Sequence, residues 1–92
     1  MIKKGKAYQA VEWIEEKLDQ APNKSELFLL LGLASIYLYD YTEAKMYLHR
    51  AINEEKGNIP AVEALAFVHL KERRTDEAVK IYLSLLEMDP KH

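Results

Sequence analysis

Three histidines, His49, His69 and His92, are the side chains able to exchange protons near neutral pH, so they are where chemistry would begin. No two of them stand four residues apart and the chain has no cysteine, so neither a paired-imidazole nor a thiolate metal site is expected. His49 is expected on the outward side of its helix, His69 packed and hydrogen-bonded on an inner face, and His92 in the tail. Ser25, Ser35 and Ser84 have no surrounding motif that would activate a hydroxyl. Gly5, Gly32 and Gly57 are isolated, which excludes a glycine-rich phosphate loop. Lys71, Arg73 and Arg74 cluster, but Glu72, Asp76 and Glu77 interleave them, the pattern of a solvated turn. These residues predict no enzyme, no metal and no cofactor.

Tyr37, Tyr39, Tyr41 and Tyr47 could suggest a stacking platform for bases, yet no excess of positive charge lies beside them. The whole chain of 92 residues balances 13 Lys+Arg against 15 Asp+Glu, which gives no electrostatic footprint for nucleic acid. Packing in a core or groove is the expected use of the tyrosines. The basic start, Lys3-Lys4-Gly5-Lys6, is followed by Glu12, Glu15 and Glu16 where a signal peptide needs an apolar run. From Leu27 to Tyr39, 11 of 13 residues are apolar, against the roughly 20 that a membrane span requires. No membrane insertion is expected. The lack of cysteine suits a cytoplasmic setting, or a periplasmic one if the chain is a piece of a secreted parent.

The elements that position these residues repeat. Ala10, Ala44 and Ala78 lie 34 residues apart, and each starts an apolar ladder with steps of four. The ladders are Ala10-Ile14-Leu18, Ala44-Leu48-Ile52 and Ala78-Tyr82-Leu86. Steps of four stack on one helix face, so each ladder predicts the inner stripe of an amphipathic helix. Breaks at Pro22–Lys24, Lys56–Asn58 and Pro90–His92 follow the same period, with inner breaks at Gly5-Lys6, Tyr39-Asp40 and Arg73-Arg74. Asn23 with Glu26 and Asp40 with Glu43 have capping-box spacing. Thr75 is expected to cap the last helix, and Gly57 to supply a positive φ at a helix end. The expected fold is all-α, with antiparallel helix hairpins and five helices near 7–20, 25–38, 41–55, 59–71 and 75–88.

With its period of 34, the chain resembles the tetratricopeptide repeat (TPR) family. Phe28, Leu31-Gly32, Ala44, Leu48 and Ala51 carry the resemblance in one unit. Val62, Leu65-Ala66, Ala78, Tyr82, Leu85 and Pro90 carry it in the next. Ser35 and His69 stand where the family has Tyr, Tyr39 and Arg73 where it has the inter-helix Gly, and Lys56 where it has a Pro. The resemblance implies a single domain over 1–92: the second helix of a partial repeat in 1–24, then repeats at 25–58 and 59–92. Such a frame expects both flanks, Trp13 included, to lack their usual neighbours. The competing expectation is a structural segment of a longer repeat array, whose apolar groove and flank serve self-association as a homodimer or packing against further repeats.

In this family the first helices of successive units line a concave face. The resemblance therefore implies a groove formed by Leu29, Leu33, Ile36, Tyr37, Glu63, Phe67, Leu70 and Lys71. Some of these, Leu33 and Ile36 in particular, are candidates for burial against neighbouring helices. Relatives that grip heat-shock-protein carboxylate tails use a clamp of Lys, Asn and Arg; Glu26, Leu29, Leu30, Leu33, Pro60 and Ala64 stand at those positions, so that ligand is not expected. A mostly apolar groove instead predicts a protein or peptide segment, amphipathic in character, held by burial of apolar area. The expected role is a scaffold, adaptor or assembly chaperone.

Overall fold

The computed structural model describes residues 4–20 and 22–88. It contains five helices and no strand among those residues: α1 (Lys4–Lys17, extended by a 3-10 turn over Leu18–Gln20), α2 (Lys24–Tyr37), α3 (Tyr41–Glu54), α4 (Ile59–Lys71) and α5 (Thr75–Met88). The all-α expectation holds, with helix ends either coincident or displaced by at most three residues. Pro90 and His92 lie outside the described residues.

Caps explain where the helices begin. The side chain of Asn23 accepts from the Glu26 amide at 3.4 Å, and that of Asp40 from the Glu43 amide at 3.2 Å. Asn58, which in the sequence marks part of a break, caps α4 by accepting from the Ala61 amide at 3.2 Å, with Pro60 in the first turn. Thr75 does not sit at a cap position. It is already helical, and the Arg74 carbonyl takes the first bond, from Ala78.

Helix ends are closed by two matching turns. After α2, the Asp40 amide donates to the Ser35 carbonyl and the Tyr39 amide to Ile36; after α4, Arg74 donates to His69 and Arg73 to Leu70. This is the Schellman arrangement, and its pivot is left-handed: Tyr39 has φ 61° and Arg73 φ 62°. A side chain there costs about 1–2 kcal/mol relative to glycine. The two residues noted as replacing an inter-helix Gly thus keep the backbone that Gly would favour. Gly57, by contrast, does not have the positive φ expected of it. Glu55 leaves α3 in an extended conformation (φ −147°), so no left-handed residue is needed. Gly5 is not a break either. It falls in the first turn of α1, where amides lack intrahelical partners in any case.

α2 packs most extensively on α3, α4 on α5, α3 on α4 and α1 on α2, with α2 also touching α4 directly. The core runs through this stack: Leu31, Leu48, Ala44, Ala51, Ala61 and Val68 are fully buried, joined by Phe28, Tyr47 and Leu65. Gly32 lets α2 approach α3, because a Cβ there would stand 2.8 Å from Leu48 Cγ. Phe28 and Tyr47 stack with ring centres 6.5 Å apart, and the Arg50 guanidinium lies 5.9 Å from the Phe28 centre. Burial, reinforced by the charges of Glu15 and Glu43, holds the Tyr47 phenol above its ordinary pKa.

One buried polar chain crosses three helices. Asn58 Nδ2 donates to Ser25 Oγ at 2.7 Å, and Ser25 Oγ donates to the Ala51 carbonyl at 2.7 Å. The start of α2, the end of α3 and the cap of α4 are therefore joined away from water. Ser35, inside an apolar helix, is satisfied by the Leu31 carbonyl at 3.0 Å.

Of the three apolar ladders, only the middle one is buried throughout its first two steps. Ala10 is exposed while Ile14 is buried; Ala78 is buried while Tyr82 and Leu86 are 41% and 49% exposed. The reason is the neighbour each step requires. Ala44 is met by α2 and Ala78 by α4, but no helix among the described residues takes that place against Ala10. Trp13, on the flank expected to be open, is 59% exposed, with Lys17 Nζ 5.6 Å from its ring centre.

Candidate peptide-binding groove

The groove residues lie on α2 and α4, which touch. Helical phase at 100° per residue separates them into two sets. Leu29 and Ile36 are half-buried against the core, and Glu63 is half-buried on α4. Leu33 (44% exposed), Tyr37, Phe67 (40%), Leu70 and Lys71 face outward. Of the two residues suspected of burial, Ile36 is half-buried and Leu33 is open. Leu33 and Phe67 occupy the same column, 34 residues apart, so α2 and α4 each present one large apolar side chain at the same level. Lys71 Nζ lies 5.2 Å from the centre of the Phe67 ring, which adds a cation at one edge. Leu30, 43% exposed, continues the α2 stripe at i, i+3 and i+7 with Leu33 and Tyr37. It was not among the expected groove residues, although that spacing is its signal.

At the start of α2 and α4 is a cleft of about 280 Å³ lined by Asn23, Glu26, Leu29, Glu55, Gly57, Asn58 and Pro60. Two carboxylates and no cation border it. A second depression, of about 480 Å³, lies at the turn into α5, where Arg73 and Arg74 are balanced by Asp76 and Glu77. His69 lines this depression. Its ring is half-buried, as expected, but its buried Nδ1 has no hydrogen-bond partner among the described residues, and the neighbouring carbonyl, its own, is taken by Arg74. The hydrogen-bonded imidazole expected here is therefore not found. His49 is exposed, as expected.

Lys45 Nζ meets Glu72 Oε1 at 2.8 Å, linking α3 to the end of α4 with both side chains largely covered. The Lys45 contact lowers the Glu72 pKa against the opposing effect of burial, with Arg74 and His69 adding to the lowering. Tyr39 and Tyr41 meet edge to face at 6.5 Å. Tyr39 is 72% exposed, so it serves neither core nor groove, while Tyr41 packs on the core and Tyr47 belongs to it. Among the described residues no group of three His, Cys, Asp or Glu could hold a metal ion, and no helix is long and apolar enough to cross a membrane.

Helix hairpins stacked side by side, with first helices that touch and keep apolar residues exposed, define a helical-repeat interaction module. The chain belongs to the tetratricopeptide repeat family: residues 36–92, well over half its length, match the model of that family. Members of the family are generally protein–protein interaction modules and typically not enzymes. No curated protein matches the chain significantly.

Proposed function

We propose that the chain is a non-catalytic binding module that takes one apolar face of an amphipathic helix, or an extended apolar segment, along α2 and α4, as a scaffold, adaptor or assembly chaperone. The observation that carries this reading is the pair Leu33 and Phe67, large apolar side chains left open in the same column of adjacent helices. A ligand would meet Leu33, Tyr37, Phe67 and Leu70, rest on the half-buried Leu29 and Ile36, and place an acidic residue near Lys71. Glu63 would border it. Such a segment presents apolar residues at i, i+3, i+4 and i+7. An anionic tail is disfavoured, because Glu26 and Glu55 border the cleft next to Leu29. A cytoplasmic setting is part of the proposal, since a chain without cysteine needs no oxidising compartment.

The test selects binders from a library of amphipathic helical peptides and maps the best one by amide chemical shifts. Micromolar binding with perturbations centred on α2 and α4 is expected. The double variant Leu33→Lys, Phe67→Lys should weaken it at least tenfold while helicity persists, because both positions are already exposed. Perturbations centred on the opposite surface around His49, or binding unchanged in the double variant, would overturn the reading.

A further inference from the structure

α5 carries two apolar faces, and the fold uses one. Ala78 and Leu85 are buried and Ile81 is half-buried, which is the face turned to α4. Val79, Tyr82, Leu83 and Leu86 are 49%, 41%, 56% and 49% exposed. At 100° per residue these four span a continuous arc, while Asp76, Glu77, Lys80, Ser84 and Glu87 occupy the remaining side. The equivalent positions of α3, 34 residues earlier, are Lys45, Leu48, His49 and Ile52. There Leu48 is sealed by its neighbours, Lys45 is half-buried against Glu72 of α4, and His49 is exposed, so both flanking positions are polar. α5 replaces both polar residues, by Val79 and Leu83. Its outer face is thus more apolar than the corresponding face inside the stack.

We infer that this face pairs with α5 of a second copy of the chain, antiparallel, about a two-fold axis between Tyr82 and Leu83. The stripe is symmetric about its own midpoint: its steps of three, one and three read the same in both directions. An antiparallel copy therefore sets Val79 opposite Leu86 and Tyr82 opposite Leu83, twice each, which is the self-complementarity a two-fold interface requires. The flanking charges favour the same direction. Lys80 comes within about 3 Å, measured along the axis, of the level of Glu87 of the second copy, and the symmetric pair repeats it. A parallel pair would instead bring together two helix starts that each carry Asp76 and Glu77. Asp76 stands on the far side of the same Glu87, a like-charge contact that keeps the dimer weak. One helix from each copy makes a small interface, so dissociation in the micromolar range is expected.

Sedimentation of the full chain from 1 to 300 µM tests the association. A monomer–dimer equilibrium is expected, with Leu83→Lys shifting it to monomer at least tenfold while circular dichroism stays unchanged. The Leu33→Lys, Phe67→Lys variant should dimerise normally, which separates this inference from the groove reading. Since the chain has no cysteine, single substitutions report the register. Leu83→Cys should form an intermolecular disulfide on mild oxidation, whereas Val79→Cys should not, its two copies lying about 10 Å apart along the axis. Strict monomer at 300 µM, open-ended oligomers, dimerisation unaffected by Leu83→Lys, or equal cross-linking at 79 and 83 would each overturn the inference.

Discussion

Leu48 has no exposed surface, and Tyr82, one repeat later in the same column, keeps 41% of its own. Both follow an alanine at zero exposure by four residues, and both sit on the second helix of a hairpin. The difference is that α3 lies between α2 and α4, whereas among the described residues α5 packs chiefly on α4. Burial in a stacked array is thus a property of the neighbour as much as of the residue, because each unit contacts only the next. The same comparison applies to α1, where Ile14 is buried and Ala10 is not.

The largest test of that contrast is truncation in the two columns. Leu48→Ala should cost about 2–5 kcal/mol, the range for a fully buried leucine in a site that cannot collapse. Tyr82→Ala, measured by urea unfolding at low micromolar concentration or below, should cost under about 1 kcal/mol, because much of its area is already in water. Equal costs would mean that α5 is covered as well as α3 is.

Asn58→Ala comes next, at about 2 kcal/mol. It removes the cap of α4 and also leaves the buried Ser25 hydroxyl without its donor. The loss joins α2, α3 and α4, so hydrogen exchange should accelerate across all three helices. Acceleration confined to the first turn of α4 would reduce Asn58 to a cap. An exposed cap such as Asn23 should cost about half as much.

The two left-handed turns allow a change of opposite sign. Tyr39→Gly and Arg73→Gly should each stabilise by about 0.5–1 kcal/mol, the relief of a side chain at positive φ less the entropy glycine adds to the unfolded chain. Thermal midpoints of the single variants check this. A loss at Tyr39 alone would show that its edge-to-face contact with Tyr41 outweighs the backbone term.

What the sequence made legible follows from range. Caps such as Asn23 and Asp40 act over three residues, and helix stripes over four, so both could be read from spacing. The 34-residue period also set Leu31 and Leu65 in one column, and Tyr39 and Arg73 where the family has its inter-helix Gly, but not that both would keep a left-handed backbone. At Gly57 the expectation of a positive φ fails because a glycine permits that backbone without requiring it. The Ser25–Asn58–Ala51 chain was not legible, since it joins three helices through residues up to 33 apart. Among the candidate groove residues, phase set which share a face, but the division between open Leu33 and half-buried Ile36 depends on how the helices pack around the core. Likewise, the ladder of α5 looked like that of α3, and only the absence of a covering helix among the described residues distinguishes them.

The smallest effect expected is electrostatic and again sets α3 against α5. Lys45 is paired with Glu72, while Val79 stands in its column with no charge to offer. Because the folded state holds the Glu72 pKa below that of an unfolded glutamate, near about 4.3, the unfolded chain takes up the proton first as the pH falls. The contribution is therefore complete at neutral pH and is lost as the pH falls through the lowered folded value. Its size should stay under about 1 kcal/mol, as for most partly covered ion pairs. Urea midpoints between pH 7 and pH 3 should fall less steeply for Glu72→Gln than for the parent, and Lys45→Met should flatten the same limb. At alkaline pH the sign reverses for Tyr47, whose raised pKa makes the folded state lose stability above about pH 10. An acid limb identical in all three proteins would mean that the contact at 2.8 Å positions the end of α4 against α3 without stabilising it.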